Sequence, residues 1–180
     1  MDMESTFLDR LGSLAAPRGA ADWDRLFEEQ LPRIHNYFRY RVGAEDAEDL
    51  TSVTFEKAWS GRHRYRRDLG AFTTWLYAIA RNVASDHFRS RIAHAPLEAA
   101  AHVAAPGSPE EDALRSSEAA RLGSLLAALG EREREMIALR YGAGLTNRAI
   151  ARLSGLSESN VGTILHRAIG ELRSRWPEEG

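Results

Sequence analysis

The sequence predicts an all-α protein in which two small helical domains are joined by a flexible linker and the C-terminal domain carries a helix-turn-helix. Apolar residues recur at helical spacing in both halves of the chain, and no segment alternates as a strand does. A segment rich in alanine and proline separates the two halves. The predicted parts are an N-terminal extension at 1–22, a first domain at 23–91, the linker at 92–117 and a second domain at 118–176.

Apolar side chains of the first domain form two groups with helical spacing. The positions are Trp23, Leu26, Phe27, Leu31, Ile34 and Phe38, followed by Phe72, Trp75, Leu76, Ile79 and Val83. Because these residues recur every three or four positions, each group predicts an amphipathic helix with one buried face. Pro17 and Pro32 are expected near helix starts or in early turns, where proline is tolerated.

The segment 92–117 differs in composition from the residues on either side of it. Alanine fills seven of its first fifteen positions, and Pro96, Pro106 and Pro109 interrupt any helix. As a flexible coil, such a segment spans roughly 25 to 30 Å on average. The two domains are therefore predicted to reach sites that lie far apart.

The composition limits the chemistry that the chain can carry. Its 180 residues include no cysteine, which excludes disulfides, thiolate zinc sites, iron–sulfur clusters and cysteine nucleophiles. A reducing cytoplasm is therefore the expected location. The start of the chain lacks a basic segment followed by an apolar one, and no run of about 18 apolar residues occurs, so neither export nor membrane insertion is expected.

Charge is distributed in blocks of one sign, although the formal net charge is only -2. Residues 44–56 contain five acids and no base, whereas residues 57–91 contain eight bases and two acids. Residues 92–139 contain four bases and eight acids, and residues 140–176 contain six bases and two acids. A block of one sign is commonly a solvated surface, but two basic blocks in one small chain favour a phosphate-bearing partner.

The segment 146–176 carries the strongest local signal. Thr146 and Ser157 are suited to cap two successive helices, and Gly155 permits a tight turn between them. The predicted buried side of the second helix consists of Val161, Ile164, Leu165 and Ile169. This arrangement is typical of a DNA-binding helix-turn-helix, in which the N-terminal residues of the second helix meet base edges in the major groove.

Polar residues of this segment are the candidates for contact with duplex DNA. Asn160 can pair bidentately with adenine, and Arg167 can hold guanine or a phosphate. The candidates are Arg148, Ser157, Ser159, Asn160, Thr163, His166, Arg167 and Arg173. The alternative is an ordinary helical hairpin whose polar face is solvated; the spacing, the capping and the basic tail favour DNA binding.

A second candidate lies in the first domain, where arginines alternate with aromatic residues. Single-stranded nucleic acid is bound by aromatic faces that stack on bases and by guanidinium groups that follow phosphates. The arginines without an evident structural use are Arg62, Arg64, Arg66 and Arg67, and the aromatic residues near them are Tyr65, Phe72, Trp75 and Tyr77. Phe72 and Trp75 share core spacing with Leu76 and Ile79, which favours packing over stacking for them.

Three segments together resemble the extracytoplasmic-function sigma factors of bacteria. They are DAEDLTSVTFEKAW, WLYAIARNVASDHFRSR and LLAALGEREREMIALRYGAGLTNRAIARLSGLSESNVGTILHRAIGELR, in the family's order and with the linker in the expected place. The resemblance extends from about Trp23 to Trp176. A helix-turn-helix alone is weakly specific, whereas three such segments in this order are highly specific.

The resemblance implies a subunit that joins core RNA polymerase and starts transcription at a bipartite promoter. By family likeness, an acidic helix docks on the clamp of the largest polymerase subunit through Asp46, Glu48, Asp49, Leu50, Phe55 and Trp59. The following loop and helix capture and open the minus-ten element through Arg62, Arg64, Tyr65, Arg66, Arg67, Trp75, Tyr77, Arg81, Asn82 and Arg89. The second domain reads the minus-thirty-five element as duplex DNA, and the linker passes near the RNA exit path. The family also implies an anti-sigma partner.

Two other classes of function fit the sequence less well. The six histidines have no ligand spacing and no nucleophile motif occurs, so no catalytic residue, metal or cofactor is expected. A stand-alone helix-turn-helix regulator would share the second domain, but it would leave the acidic helix and the arginine-rich loop unexplained. Binding of core polymerase or of single-stranded DNA distinguishes these two interpretations.

A few positions depart from the family pattern. Gly162 and Ile164 stand where recognition helices often carry lysine and arginine on the DNA side, which predicts fewer phosphate contacts and a flatter salt dependence. Ser154 stands where an apolar residue is usual. The extension at 1–22 exceeds a minimal member, and both a disordered tail and a regulatory contact remain open for it.

Overall fold

A computed structural model of the chain describes residues 20–66, 71–94 and 111–176. Within these ranges the backbone forms helices joined by short turns, and no strand occurs. The predicted all-α fold is therefore confirmed. None of the helices in these ranges combines the length and the apolar character that crossing a membrane requires.

The helices fall into two groups along the chain. The N-terminal half contains α1 (Ala20–Arg41), α2 (Ala44–Ser60), a short 3-10 helix (Arg62–Arg64) and α3 (Phe72–His94). The C-terminal half contains α4 (Glu111–Ala127), α5 (Glu131–Ile137), a π-helical segment (Ala138–Gly142), α6 (Asn147–Ser154) and α7 (Glu158–Arg175).

The helices extend beyond the domain boundaries that the sequence predicts. The first helix begins at residue 20 instead of 23, α3 continues to residue 94, and α4 begins at residue 111. Both ends of the predicted linker at 92–117 are therefore helical. Its central part, 95–110, and most of the predicted extension, 1–19, lie outside the described residues.

The core of the N-terminal half is built from the residues whose spacing predicts it. Leu26, Ile34 and Phe38 of α1 and Leu76 of α3 are fully buried. Burial of such side chains is the main favourable term in holding the three helices together. Pro32 is a correction, since it lies inside α1 and not near its start; its side chain is exposed, on the solvent side of the helix.

The turn between α6 and α7 depends on the backbone of Gly155. This residue ends α6 with φ +70°, a left-handed conformation that costs other residues about 1–2 kcal/mol. A side chain at this position would meet no atom within 4 Å, so the penalty of a substitution lies in the backbone alone.

Replacement of Gly155 by alanine is therefore expected to lower the free energy of unfolding by about 1 kcal/mol or slightly more. Gly170→Ala is the matched control, because Gly170 lies inside α7, also has open space around it and lacks a left-handed φ. The control is expected to stabilise the protein by about 0.5–1 kcal/mol. Urea denaturation of both variants measures the difference, and equal effects would contradict this account of the turn.

The two halves are packed directly against each other, which the sequence does not predict. The π-helical segment crosses α1, and α6 lies against α3. At the crossing, a Cβ atom built on Gly142 would lie 2.8 Å from the carbonyl oxygen of Asn36 and 3.0 Å from the Cα atom of Tyr37. Only glycine allows the two backbones to approach this closely.

Charged side chains bridge the same contact surface. Arg41 donates to a carboxylate oxygen of Glu131 at 3.0 Å, and Arg81 Nε donates to Glu135 at 2.8 Å. Arg134 donates to the carbonyl oxygen of Tyr40 at 3.3 Å. We call this surface the interdomain seam; its members are Tyr37, Arg41, Tyr77, Arg81, Glu131, Arg134, Glu135 and Gly142.

Burial in the interdomain seam changes the acidity of three side chains. Burial raises the pKa of Tyr37 and of Tyr77 well above the usual range of a phenol, so both hydroxyl groups stay neutral. The pKa of Arg134 is lowered to about 10, mainly by burial and to a smaller extent by the nearby charges of Arg41 and Arg91. Arg134 therefore remains charged at neutral pH.

Candidate nucleic-acid interface

The helix-turn-helix has the local geometry that its sequence predicts. The Thr146 hydroxyl accepts a hydrogen bond from the backbone N–H of Ala149 at 3.2 Å, which caps α6. The Ser157 hydroxyl does the same for α7 by accepting from the N–H of Asn160 at 3.1 Å. Each cap satisfies a backbone donor that the first turn of a helix leaves unpaired. The start of α7 is thus held in a defined conformation.

Helix α7 has one buried and one exposed face. Val161, Ile164, Leu165 and Ala168 are buried against the other helices of the C-terminal half, whereas Ile169, predicted to be buried, is half-buried. Ile164 is buried, as its spacing of three residues from Val161 predicts, and this burial corrects only the expectation that its position lies on the DNA side of the helix. Gly162, between them, is half-buried.

The exposed face of α7 contains the polar residues predicted for duplex DNA. Its members are Ser159, Asn160, Thr163, His166, Arg167 and Arg173. Some of the polar groups are already engaged: the Thr163 hydroxyl donates to the Ser159 carbonyl at 3.1 Å, and Arg148 of α6 forms an ion pair with Glu158 at 3.6 Å. Ser157 uses its hydroxyl as the cap. The side chains of Asn160, His166 and Arg167 make no hydrogen bond or ion pair within the described ranges, so their polar groups are available to a ligand.

The arginine-rich loop after α2 is partly organised by an aromatic side chain. Arg62 donates to the carbonyl oxygen of Trp59 at 2.7 Å, and its guanidinium group lies 4.1 Å from the centre of the Trp59 ring. The expectation that Arg62 has no structural use is therefore wrong, because the 3-10 turn folds it back over the end of α2. Arg64 and Arg66 are exposed, and Arg67 lies outside the described residues.

An aromatic cluster packs against this loop. Tyr65 lies 5.4 Å from Trp75 and 5.6 Å from Phe72, measured between ring centres. Trp23 contacts Phe72, Trp75 and Trp59 in edge-on geometry. Phe72 is buried and Trp75 is half-buried, as their core spacing predicts. The cluster fixes the loop to α1 and α3 while leaving part of Tyr65 and Trp75 accessible.

Not all residues predicted for the minus-ten element lie on this surface. Tyr77 is fully buried and meets Tyr37 edge-on at 5.9 Å, and Arg81 is turned into the interdomain seam. Asn82 is exposed on the same helix, and Arg89 is exposed in an ion pair with Asp86. The structure therefore corrects the expectation that Tyr77 and Arg81 face an opened strand in this conformation, since the C-terminal half packs over that part of α3.

The acidic helix α2 presents only some of its predicted contacts to solvent. Glu48 and Asp49 are exposed, Leu50 is half-buried, and Trp59 keeps 46% of its surface exposed. Phe55 is a correction: it is buried, with its ring 4.4 Å from that of Phe27.

Asp46 is held by basic residues of α3. It is half-buried and lies 3.3 Å from both His87 and Arg91. The contact with Arg91 engages its carboxylate within the N-terminal half, so of the three acids predicted to meet polymerase only Glu48 and Asp49 are exposed.

Sequence reasoning missed several residues of these surfaces. Phe27 and Leu31, whose spacing predicts a place on the buried face of α1, are exposed, and so is Val53 of α2, because helical spacing alone does not separate the buried from the exposed edge of an apolar face. The glutamates of the interdomain seam, Glu131 and Glu135, were also missed. Their spacing of four residues on one helix was the available signal, because it places both on one face.

Within 20–66, 71–94 and 111–176, no group of three histidine, aspartate or glutamate side chains could hold a metal ion.

The two halves of the chain match two family models in the same order. Residues 26–92 match the model described as sigma-70 region 2, and residues 119–172 match the model described as sigma-70, region 4. Together the two matches cover most of the described structure. Their separation coincides with the segment that the sequence predicts as the linker.

Two curated relatives are sigma factors of Streptomyces. The chain is 35% identical to the ECF RNA polymerase sigma factor BldN of Streptomyces coelicolor over 172 residues, which is 91% of this chain and 64% of BldN. It is 32% identical to the ECF RNA polymerase sigma factor ShbA of Streptomyces griseus over 185 residues, which is 96% of this chain and 97% of ShbA. The chain thus spans nearly all of ShbA but less than two thirds of BldN.

Two solved structures share the fold. CnrH in complex with the cytosolic domain of CnrY has a TM-score of 0.66 at 24% identity, covering 91% of this chain and 93% of CnrH. The sigma factor RpoE in complex with the anti-sigma factor NepR, from Bartonella quintana, has a TM-score of 0.63 at 21% identity, covering 86% of this chain and 96% of RpoE. These two likenesses concern the fold, whereas the two family models and the identity to ShbA show that the chain belongs to the extracytoplasmic-function group of the sigma-70 family.

Proposed function

We propose that this sigma factor binds core RNA polymerase, recognises a bipartite promoter and opens its minus-ten element. The observation that carries the proposal is the exposed polar face of α7, where Asn160, His166 and Arg167 stand free beside two capped helix starts. A face fixed by caps and lacking internal partners suits contact with base edges. The remaining surfaces supply the other contacts that initiation requires.

The C-terminal half reads the minus-thirty-five element as duplex DNA. Asn160 lies in the first turn of α7 and offers an amide that pairs with adenine, whereas Arg167 lies about two turns further on and reaches guanine or a phosphate. Arg148 and Arg173, both exposed, contribute phosphate contacts at the two sides of the groove. Because few cations take part, we expect the affinity to depend weakly on salt.

The N-terminal half captures the minus-ten element as a single strand. Arg64 and Arg66 are exposed on a loop whose aromatic support includes Tyr65 and Trp75. The guanidinium groups attract the strand, and the accessible parts of the aromatic rings receive unstacked bases. Asn82, exposed further along α3, offers an amide group that can hydrogen-bond to the same strand.

Core polymerase is bound by α2 through Glu48 and Asp49, with exposed Trp59 and the edge of Leu50 as apolar contacts. An acidic surface is repelled by DNA but complements a basic protein surface, which supports polymerase and not promoter DNA as the partner of this helix. An anti-sigma factor is a further proposed partner, because the sigma factor RpoE, which shares the fold, was solved in complex with the anti-sigma factor NepR.

Run-off transcription tests the proposal directly. The protein is mixed with bacterial core polymerase and a pool of promoter fragments, and the RNA starts are sequenced. Initiation downstream of one shared bipartite motif supports the proposal and gives the promoter sequence. Duplex binding without core binding or initiation would instead identify a stand-alone helix-turn-helix regulator.

Charge reversal on α2 is expected to weaken the binding of core polymerase at least tenfold. Asp49→Arg places a cation against the basic surface that the acidic helix meets, and like charges at an interface cost several kcal/mol. We expect at least a tenfold loss of run-off product, with a matching loss of affinity for core polymerase. Glu118→Arg, which makes the same charge change on exposed α4, is the control and should retain activity.

If Asp49→Arg loses transcription while its affinity for core polymerase is unchanged, α2 does not act in core binding and acts instead in a later step of initiation. Binding of duplex DNA by α7 should be the same in Asp49→Arg, Glu118→Arg and the unmodified chain, because neither substitution touches the helix-turn-helix.

A further inference from the structure

An apolar strip lies where α1 and α2 meet at the surface of the N-terminal half. Phe27 and Leu31 of α1 keep 43% and 38% of their surface exposed, and Trp59 of α2 keeps 46%. The Phe27 ring lies 4.4 Å from that of buried Phe55, and Trp23 meets Trp59 edge-on at 5.8 Å between ring centres. We call this surface the α1–α2 strip; its members are Trp23, Phe27, Leu31, Phe55 and Trp59.

The α1–α2 strip is elongated. Trp23, Phe27 and Leu31 follow one another at intervals of four residues, so they form a row on one face of α1. Their Cα atoms span about 12 Å along the helix axis. The strip therefore has the shape that receives the apolar face of a short amphipathic helix.

Residues 7–15 of the same chain have the pattern of such a helix. They lie outside the described residues, and their sequence is FLDRLGSLA. Helical spacing places all of the apolar residues on one face, with the charged and polar residues and the glycine on the other. The apolar face consists of Phe7, Leu8, Leu11, Leu14 and Ala15.

The ends of this pattern carry helix signals as well. Thr6 precedes Asp9 by three residues, which is the spacing of a capping box at a helix start. Pro17 disfavours helical backbone at the residue before it, so a helix that begins at residue 7 ends by residue 15 or 16. The sequence therefore predicts an amphipathic helix of about nine residues next to α1.

We propose that residues 7–15 form a helix that docks on the α1–α2 strip of the same molecule. Residues 16–19 connect this helix to α1, which begins at Ala20. Four residues span up to about 14 Å, whereas the axes of two packed helices lie about 8–10 Å apart. The chain can therefore reverse its direction and lay the helix antiparallel to α1. Phe7, Leu11 and Leu14 then form a row about 10.5 Å long beside the row on α1.

The charges around the α1–α2 strip favour this occupant over a nucleic acid. Asp24 and Glu28 of α1 and Glu48 of α2 are exposed, so acids lie on both sides of the strip. In a helix over residues 7–15, Arg10 borders the apolar face and Asp9 lies on the opposite side. The arginine thus meets an acidic rim on either side, while the aspartate stays in solvent. The same acids repel the phosphates of a promoter strand.

Docking covers part of the surface proposed for core polymerase. Trp59 belongs to both surfaces, and Glu48 lies beside the strip. Competition with polymerase therefore rests on the proposed function, whereas docking itself does not. If residues 7–15 cover the strip in about four fifths of the molecules, the apparent affinity for polymerase is about fivefold lower than that of a chain whose strip is free.

A distance measurement in the full chain tests the docking. Because the chain has no cysteine, Ser13→Cys and Ser52→Cys accept one spin label each; Ser52 is exposed on α2, three residues before Phe55. Electron resonance gives the distribution of distances between the two labels. Two helices packed side by side predict a narrow distribution with its maximum at roughly 15–25 Å.

Four variants of the doubly labelled chain show which side chains hold the helix. Leu11→Ser and Leu31→Ser remove one apolar side chain from each side of the contact, and both are expected to broaden the distribution and lengthen its mean. Asp9→Ser is the control for the first, since Asp9 lies on the polar face. Val53→Ser is the control for the second. Val53 is 36% exposed, close to the value for Leu31, but at two residues from Phe55 it lies on the other side of α2. Both controls should keep the narrow distribution.

A distribution in the unmodified chain that is as broad as in Leu11→Ser overturns the docking. So does a narrow distribution that is lost when labelled chains are diluted with unlabelled ones, because the occupant of the strip is then a second copy. Narrow distributions in all four variants also overturn it, because docking then does not depend on the apolar contact.

The affinity for core polymerase tests the consequence. We expect Leu11→Ser to bind core polymerase about fivefold more tightly than the unmodified chain and Asp9→Ser to bind as the unmodified chain does. Equal affinity of all three chains, with normal initiation, overturns the competition with polymerase. A narrow distribution in the unmodified chain, with no binding of core polymerase by any variant, removes the proposed function and leaves the docking in place.

Discussion

Replacement of Ile150 by alanine is expected to lower the free energy of unfolding by about 2–5 kcal/mol, the range for truncating a large buried side chain. Ile150 of α6 is fully buried and is among the largest such side chains of the C-terminal half. Because α6 packs against α7, we expect the cavity left by the truncation to disturb the support of the recognition surface. We therefore expect duplex binding to fall together with stability.

Denaturation in urea measures this prediction, with Arg152→Ala as the control on the same helix. Arg152 is exposed, and substitutions at such surface positions usually change stability by about 0.5 kcal/mol or less. A loss below about 1 kcal/mol for Ile150→Ala would mean that the helix-turn-helix repacks around the missing atoms, contrary to the close packing typical of protein cores.

Replacement of Arg167 by alanine is expected to weaken binding to the minus-thirty-five element by about 1–3 kcal/mol, or roughly five- to 150-fold. The side chain is exposed on α7 and makes no ion pair within the described residues, so its loss leaves the fold unchanged. If Arg167 holds a guanine, discrimination at one base position relaxes; if it holds a phosphate, all sequences lose affinity equally.

Competition binding with single-base variants of the promoter found by run-off transcription separates these two outcomes. Arg175→Ala is the charge-matched control, because Arg175 lies at the far end of the same helix and is paired with Glu171 at 2.9 Å. Unchanged binding of Arg167→Ala on every promoter variant would remove Arg167 from the interface and leave Asn160 as the main candidate for base recognition.

The local features of the candidate site could be predicted from the sequence because each depends on neighbouring residues. The caps at Thr146 and Ser157 and the turn at Gly155 are confirmed, since hydroxyl position and backbone φ are set within one helical turn. The exposed polar face of α7 follows from the same helical period. Its role in reading DNA stays a prediction.

Errors arose where a side chain could take more than one partner. Arg62 folds back on Trp59, and Phe55 packs on Phe27. In each case spacing places the residue on a helix or loop but does not say which neighbouring surface covers it. Pro32 is a different case, because it lies inside α1, where proline removes one backbone hydrogen bond, and the local pattern placed it near a helix start.

The sequence by itself determined the all-α fold, the order of the two regions, the membership of the sigma-70 family and the local form of the helix-turn-helix. Only the tertiary structure decided that the halves pack together and that Arg81 meets Glu135, 54 residues away, and Arg41 meets Glu131, 90 residues away. Helical period and capping act over a few residues, whereas a contact between distant helices depends on how their whole surfaces fit. Gly142 shows the difference, because a side chain at this position would clash with the backbone of α1, which is distant in the sequence.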